Sequence, residues 1–361
     1  MKTFFDNNDT ISALEAQYNA QRIAFAPIIF QVARSMRDLG VLEALNTSKE
    51  GLSIDTLMEK TNLSRYGMTV LLESSLSADI VKEKDKKYFL TKTGFFLLND
   101  KMTIANMDYN HYVNYKALFS LDEAIINGAP TGLSEFGEWK TIYPGLSSLP
   151  EKVKNSWFTF DHFYSDSAFP EAVDIILNLG PKTILDVGGN TGKFAIELAK
   201  KNKNLSITIM DLPEQLAIAK ENIIKAGVEH QITLLSANIL DNNHTFPKGF
   251  DVIWMSQFLD CFSSDMILKI LTETKNAMNL KTKLCIMEPF WDRQRFEASA
   301  FCVMNTSPYF TVMANGYSKM YHSMEFIKLV NDAGLEVEDI YDNLGICQSI
   351  LKIGVIKKTG C

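Results

Sequence analysis

A glycine-rich turn joins a predicted buried strand at residues 183–187 to the predicted helix that follows it. The run DVGGNTG, residues 186–192, places Asp186 just before the glycines, and Asp211 ends the next predicted strand. Such a turn lets the backbone approach a ligand closely, and the amide groups at the start of the helix point at that ligand. A carboxylate at the end of the second strand can hydrogen-bond the hydroxyls of a ribose. The spacing therefore predicts a site for a ribose-containing cofactor.

Asp186 distinguishes between two such cofactors. A carboxylate beside the turn would repel the pyrophosphate of a dinucleotide, whereas it would attract a ligand that carries an ammonium and a sulfonium. A purely structural role, as a capping or turn carboxylate, is the alternative. The residues favour S-adenosylmethionine, with S-adenosylhomocysteine as the product, over the NAD(P) of an oxidoreductase.

The part of the chain around this turn alternates predicted strands with predicted helices, which is the pattern of a Rossmann-like, doubly wound parallel sheet. The predicted parallel strands are residues 183–187, 205–210, 232–240, 250–258 and 283–289. Two further segments, 335–342 and 349–357, face each other across a turn that contains Gly345, which predicts an antiparallel hairpin at the end of the sheet. The fold class is α/β.

The first hundred residues predict a small, mainly helical module. Helical spacing runs from about residue 12 to 45, with Gly40 as a stop. Ser53 and Ser64 each precede a short predicted helix, and residues 80–91 predict two short strands around a turn. This order is typical of a winged helix. The large apolar side chains of the first helix suit a second subunit and burial in their own domain equally well.

Charge opposes the DNA-binding function that a winged helix usually suggests. The 361 residues carry 36 Lys and Arg against 43 Asp and Glu, a net charge of −7, and the first hundred residues carry 12 against 13. Nucleic acids and anionic membranes select basic surfaces. We expect a small-molecule partner, with no nucleic acid and no membrane, and a winged helix that serves dimerisation. A metabolite-sensing regulator is the alternative outside the enzymes.

Cysteine usage and the amino-terminal sequence indicate the compartment. The five cysteines are widely spaced and form no Cys-x-x-Cys pair, which is typical of reduced thiols and of neither a disulfide framework nor a zinc site. The start, MKTFFDNNDT, has acids and amides where a signal peptide needs an apolar core. We expect a cytoplasmic protein that needs no metal.

Three domains are predicted: a winged-helix-like dimerisation domain over residues 1–100, a helical connection over 101–175, and a cofactor-binding domain over 176–361. The connection is rich in aromatic residues and could wall a pocket for a planar ligand. Its candidates, with two from residues 301–324, are Trp157, Phe160, His162, Phe163, Met304 and His322.

Four segments, in this order behind the winged-helix module, resemble the class I small-molecule O-methyltransferases of the caffeate and hydroxyindole type. They are DVGGNTG (186–192), MDLPEQ (210–215), FDVIWMSQFLDCFSSD (250–265) and LCIMEP (284–289). The resemblance covers nearly the whole chain. It implies a homodimer whose amino-terminal domain closes the partner's substrate pocket, and a carboxy-terminal domain that transfers a methyl group to a small, planar aromatic acceptor.

The resemblance also implies a set of cofactor-binding residues. Asn190 stands where the family usually has a glycine, and asparagine tolerates the positive φ that such a turn needs. Asn238 stands where the family commonly has an aspartate near the adenine, and an amide can also hydrogen-bond that ring. The full set is Asp186, Gly188, Gly189, Asn190, Gly192, Asp211, Leu212, Asn238, Ile239 and Ser256.

Catalysis is where the sequence departs from the family. The usual His-Asp-Trp triplet, whose histidine deprotonates the acceptor, is matched here by Asp260-Cys261-Phe262. Glu288 matches one family glutamate, while Met320 replaces the glutamate that usually holds the histidine. The predicted catalytic residues are therefore Asp260 and Glu288.

Three explanations of the missing histidine stay open. Asp260 acts as the base if burial raises its pKa, or it merely caps the following helix. His162 or His322 substitutes from another direction, or serves only as a hydrogen-bonded structural residue. In the third, no strong base is needed because proximity alone drives the transfer. Methylation of an activated ring carbon is an alternative to O-methylation.

Overall fold

The computed structural model describes residues 4–5, 9–241 and 245–356. Contacts within the chain divide it into two units. One is Asp6–His111, and the other is Tyr112–Cys361 with Met1–Phe5.

The amino-terminal unit contains helices and one short hairpin. Its elements are α1 (Ala13–Asp38), α2 (Val41–Asn46), α3 (Ile54–Thr61), α4 (Arg65–Ser77), β1 (Val81–Lys84), β2 (Lys87–Leu90), α5 (Lys92–Asn99) and α6 (Lys101–Tyr109). The hydroxyls of Ser53 and Ser64 accept the amides of Thr56 and Gly67, so both predicted helix caps are confirmed. Gly40 takes a φ of 77° just beyond the end of α1, so its predicted role as a helix stop is confirmed, and the helical segment predicted over about 12–45 is divided into α1 and α2.

Some apolar side chains of this unit are buried in its core, and others are exposed. Met36, Leu42, Leu57, Met68 and Leu72 are fully buried and form its core. The first half of α1, in contrast, leaves large apolar side chains exposed: Leu14, Tyr18, Ile23, Phe25 and Ile28. A single helix that exposes this much apolar surface lacks a partner within the described part of its own unit.

The second unit begins with helices that precede the sheet. They are α7 (Leu121–Asn127), α8 (Glu151–Asp166) and α9 (Phe169–Asn178). Short 3₁₀ turns, Thr131–Glu135 and Tyr143–Ser148, lie in the Gly- and Pro-rich stretch between α7 and α8.

A seven-stranded sheet forms the rest of the second unit. Its strands are β3 (Thr183–Val187), β4 (Ser206–Asp211), β5 (Ile232–Ser236), β6 (Val252–Ser256), β7 (Lys283–Glu288), β8 (Leu335–Leu344) and β9 (Gln348–Val355). The helices between them are α10 (Lys193–Lys201), α11 (Pro213–Ala226), α12 (Ser264–Ala277), α13 (Glu297–Met304), α14 (Ser307–Tyr309) and α15 (Ser323–Asp332).

The order of the sheet is β5-β4-β3-β6-β7-β9-β8. The strands from β5 to β7 pair in parallel, and β9 and β8 pair antiparallel, so the predicted fold class is confirmed. The central strands β3, β6 and β7 are mostly apolar and buried because an apolar core covers each face of the sheet. β5 ends at Ser236, four residues before its predicted end. The carboxyl ends of β3, β4, β6 and β7 meet at one edge, where such sheets bind ligands.

Candidate functional site

The glycine-rich turn after β3 is held by the end of β4. One oxygen of the Asp211 carboxylate accepts the amide of Asn190 at 2.8 Å, and the other accepts the amide of Leu212 at 2.7 Å. Asn190 takes a φ of 48°, as its tolerance for this conformation predicts, and Gly192 takes 77°. The carboxylate of Asp211 thus fixes the turn at the carboxyl end of β3.

Asp186 lies under this turn, and one oxygen of its carboxylate has no hydrogen-bond partner among the described residues. Its side chain is 2% exposed, and its Oδ2 is bonded by none of the described residues. A Cβ at Gly189 would lie 2.8 Å from that oxygen, so only glycine fits above it. Burial, and then the charge of Asp211, raises the pKa of Asp186 to about 7. The capping role considered for Asp186 does not occur among the bonds of the described residues.

An orphaned buried carboxylate needs a donor to offset its desolvation. The Oδ1 of Asn190 is also buried and receives no hydrogen bond from the described residues. Two acceptors without donors beside a glycine turn fit a ligand with an ammonium group, which S-adenosylmethionine carries.

The remaining predicted cofactor residues lie along the same edge. Ser256 ends β6, and Ile239 packs partly buried against one of the cores. Asn238 is exposed, and its side chain holds its own loop: the amide donates to Asp241 at 3.0 Å, and the oxygen accepts the amide of Leu240 at 3.0 Å. Contact between Asn238 and an adenine stays a prediction.

The loop after β6 packs against the glycine-rich turn and leads to Asp260. The ring of Phe258 packs against Gly188, where any Cβ would collide with it. Gln257, which precedes it, takes a φ of 44°, unusual for a residue with a side chain. Its side-chain oxygen accepts the Nε2 of Gln348 at 3.0 Å. The loop therefore leaves the strand in a constrained direction.

Glu288, at the end of β7, holds the next part of this loop. Its Oε1 accepts the amides of Phe258 at 3.1 Å and Leu259 at 2.9 Å. The side chain is 3% exposed, and its Oε2 has no partner among the described residues. Burial, and then the charge of Asp260, raises the pKa of Glu288 well above its usual value. Glu288 thus holds a proton more tightly than an exposed glutamate does.

Asp260 follows Leu259 directly, and its carboxyl is buried. It is 5% exposed, and the Sγ of Cys261 donates to its Oδ1 at 3.5 Å. Burial is the main cause that raises its pKa to about 7, and the charge of Asp161 raises it further. The alternative of a helix cap is wrong for Asp260, because the hydroxyl of Ser263 caps α12 by accepting the amide of Met266 at 3.4 Å.

Tyrosine and amide groups complete the surroundings of Asp260. The Nδ2 of Asn315 donates to the hydroxyl of Tyr143 at 3.2 Å and to the backbone oxygen of Cys261 at 3.0 Å. The indole of Trp157 donates to the hydroxyl of Tyr309 at 2.6 Å. Burial raises the pKa of both tyrosines, so they stay protonated. Neither tyrosine is therefore a base at neutral pH, whereas the pKa of Asp260 lies in that range.

The structure divides the predicted aromatic cluster between two faces of α8. One face borders a groove of about 600 Å³. The groove is lined by Asn155, Phe158, Thr159, His162, Phe163, Asp166, Ser167 and Ile346. Trp157 instead contacts Tyr309, and the ring of Phe160 packs against that of Tyr164 at 4.8 Å.

Neither predicted histidine is placed as a free base. The Nδ1 of His162 lies 3.5 Å from Asp166, and this hydrogen bond is the main cause that raises the pKa of His162. The Nδ1 of His322 accepts the amide of Met324 at 3.1 Å and caps α15. Met304, at the end of α13, is exposed.

Sequence reasoning missed Asp161, Tyr143 and Asn315. A signal existed for Asp161, because it stands four residues after Trp157 and shares its face of a helix. The others depend on loop contacts over long sequence distances. In the described part of the chain, no group of three metal-binding side chains is placed to hold an ion, and no helix is long and apolar enough to cross a membrane.

Comparison with known families assigns both parts of the chain. Residues 17–88 match the dimerisation2-like domain, and residues 171–336 match the O-methyltransferase domain. Together they cover most of the amino-terminal unit and the parallel strands of the sheet.

Individual proteins agree with these matches. A 3-hydroxy-5-methyl-1-naphthoate 3-O-methyltransferase of Streptomyces sahachiroi is 27% identical over 76% of this chain and 77% of its own. A bacteriochlorophyllide d C-20 methyltransferase of Chlorobaculum tepidum is 19% identical over 94% of this chain and 97% of its own. The solved structure of the S-adenosylmethionine-dependent methyltransferase SibL superposes with a TM-score of 0.70 at 19% identity, covering 93% of this chain and 98% of that one.

Proposed function

Because the chain belongs to the family of S-adenosylmethionine-dependent O-methyltransferases with an amino-terminal dimerisation domain, we propose that it methylates a hydroxyl of a small, planar aromatic compound beside Asp260. The observation that carries this proposal is the buried carboxyl of Asp260, whose pKa of about 7 suits a base at neutral pH. The loop that bears Asp260 also packs on the cofactor turn, through Phe258 and Gly188.

Each group near the loop has a role in this proposal. When bound, S-adenosylmethionine supplies a methyl group on a positively charged sulfur. The carboxylate of Asp260 would take the proton of the acceptor hydroxyl, which leaves that oxygen able to receive the methyl group. Glu288 is a positioning residue, because it holds the amides of Phe258 and Leu259 and touches no reacting atom.

The cofactor edge is assigned in the same way. Asp186 and the side-chain oxygen of Asn190 receive the ammonium of the cofactor, which supplies the donors that both lack. Asp211 holds the ribose hydroxyls with the lone pairs that its two backbone bonds leave free. The remaining predicted contacts are Gly188, Gly189, Gly192, Leu212, Asn238, Ile239 and Ser256.

A labelled-methyl assay tests the function. With S-adenosylmethionine labelled in its methyl group, we expect label on the oxygen of 2-naphthol and none on 2-methoxynaphthalene, which has the same ring and no free hydroxyl. Mass spectrometry of the product locates the methyl group. Label on a ring carbon would favour C-methylation. No transfer to a panel of phenols by a protein that binds S-adenosylhomocysteine would contradict the proposed acceptor class.

We also propose a homodimer formed through residues 1–100, with residues 101–175 walling the acceptor pocket and 176–361 binding the cofactor. The exposed apolar side chains of α1 support a second copy of the chain as the partner, because the matched domain is one of dimerisation. The negative charge of the chain supports a small acceptor as its other partner.

Ile23→Asp tests the dimer. The side chain is 77% exposed on α1, and a charge there would have to be buried in the interface. We expect sedimentation velocity to show a dimer for the wild type. For the variant, the dissociation constant of the dimer should be at least ~10-fold higher. Lys84→Asp, at the tip of the β1–β2 hairpin, should leave the dimer intact. An Ile23→Asp protein that sediments like the wild type would place the interface elsewhere.

A further inference from the structure

The inner face of α8 carries a carboxylate that the proposed reaction does not use. Trp157 and Asp161 stand four residues apart, so they lie on the same face of the helix. The indole of Trp157 is bonded to the hydroxyl of Tyr309, which fixes this face toward Tyr309. Asp161 is half-buried there, and no described residue donates a hydrogen bond to its side chain.

The charge of Asp161 reaches the proposed acceptor space. The bond between Trp157 and Tyr309 brings this face of α8 against Tyr309, and Asp161 lies about one helical turn further along the same face. In agreement, the charge of Asp161 raises the pKa of both Asp260 and Tyr309. Burial raises the pKa of Asp161 itself to about 6, and it is therefore mostly ionised above pH 7.

Few positively charged groups among the described residues act on the carboxylate of Asp161. His162 is the only cationic group that lowers the pKa of Asp161, and its ring is already paired with Asp166. No lysine or arginine of the described chain acts on the pKa of Asp161 or Asp260. The nearby Lys193 is itself paired with Asp166. An unpaired, half-buried carboxylate favours a donor or a cation from the ligand.

We propose that Asp161 determines which acceptors the pocket takes, by admitting neutral or cationic aromatic alcohols and rejecting those that carry a carboxylate. The inference rests on the proposed function and names the substrate class of the same site. A carboxylate on the acceptor would meet Asp161 and Asp260 without a counter-charge, which is how binding sites exclude a competitor. An ammonium or an amide N–H would instead supply the missing donor to Asp161. The acceptors differ in this respect from the naphthoate for which the Streptomyces relative is named.

Three matched ligands test this: 3-hydroxy-1-naphthoate, its primary amide, and the corresponding 1-aminomethyl compound. Their dissociation constants are measured by calorimetry at pH 8 on protein saturated with S-adenosylhomocysteine. We expect the amine and the amide to bind at least ~10-fold more tightly than the carboxylate. In Asp161→Asn, the carboxylate should gain about 10-fold, the amine should lose about 10-fold, and the amide should change less than 3-fold.

Asp174→Asn is the control, because Asp174 is an exposed residue on α9 that pairs with Lys201. It removes the same charge from the protein and should leave all three constants unchanged. Equal binding of the three ligands, with no response to Asp161→Asn, would overturn the inference and leave the methyltransferase proposal intact. No binding of any ligand by protein that still binds S-adenosylhomocysteine would overturn both. Binding constants are the readout, so the result does not depend on turnover.

Discussion

Asp260→Asn should lower kcat at pH 8 at least ~10²-fold, because the amide cannot take the proton of the acceptor. The variant should fold. The pKa of Asp260 is raised on folding, so the buried carboxyl favours the folded state below pH 4 and loses that contribution as the pH rises through about 7. Removing it should therefore raise the free energy of unfolding at pH 8, by up to about 4 kcal/mol, and change it much less at pH 5. Chemical denaturation at both pH values measures this.

The pH profile separates a base from a structural group. Between pH 5 and 7, kcat/KM of the wild type should rise about tenfold per pH unit, and it should level off above pH 8, because only ionised Asp260 is active. Asp265→Asn, an exposed carboxylate in the first turn of α12, should keep the rate and the profile. If Asp260→Asn retained the wild-type rate, proximity alone would explain the transfer.

Asp211→Ala should weaken the binding of S-adenosylhomocysteine about 10²-fold in calorimetry. The substitution removes the proposed acceptor of two ribose hydroxyls, and each hydrogen bond to a charged group contributes roughly 1.5–3 kcal/mol. It also releases the amides of Asn190 and Leu212, so the turn loses the group that fixes it. Both effects act in the same direction on affinity.

Asp251→Ala provides the matched control. Asp251 accepts backbone amides at the start of β3, just as Asp211 accepts the amide of Asn190 in the turn after β3. Its Oδ2 accepts the amides of Lys182 at 2.8 Å and Thr183 at 3.0 Å, and these bonds lower the pKa of Asp251. We expect a loss of thermal stability comparable to that of Asp211→Ala, with an unchanged affinity for S-adenosylhomocysteine. Equal loss of affinity in both variants would show that Asp211 acts only through stability.

The sheet was predictable because its signals are local. Strand β3 was predicted to the residue. Helix α11 shows a similar local signal, because it begins at Pro213 and ends before Gly227. Proline at the start of a helix and glycine after its end act through their own backbone geometry, so they can be recognised from the sequence. The end of β5 was less predictable, since the apolar run continues to Ile239, which packs against a core without being part of the strand.

The acceptor side was less predictable for a physical reason. The bond between Trp157 and Tyr309 joins residues 152 positions apart, and no local pattern specifies it. The stretch DCFSSD offers several possible caps, and only packing decides that Ser263 takes this role. Histidines were considered as bases because their usual pKa suits that role. The pKa of Asp260 is similar only because its side chain is buried, and burial depends on the tertiary structure.

The cap of α12 has an evolutionary consequence. Because the hydroxyl of Ser263 caps α12, the side chain at position 260 is not needed for that cap. The buried carboxyl of Asp260 also lowers the free energy of unfolding above neutral pH. A lineage could exchange the residue at position 260, and with it the route by which the proton leaves, while Ser263 keeps the start of the helix intact. This position can therefore change its chemistry over evolutionary time more freely than Asp211, where a substitution would also release the glycine turn.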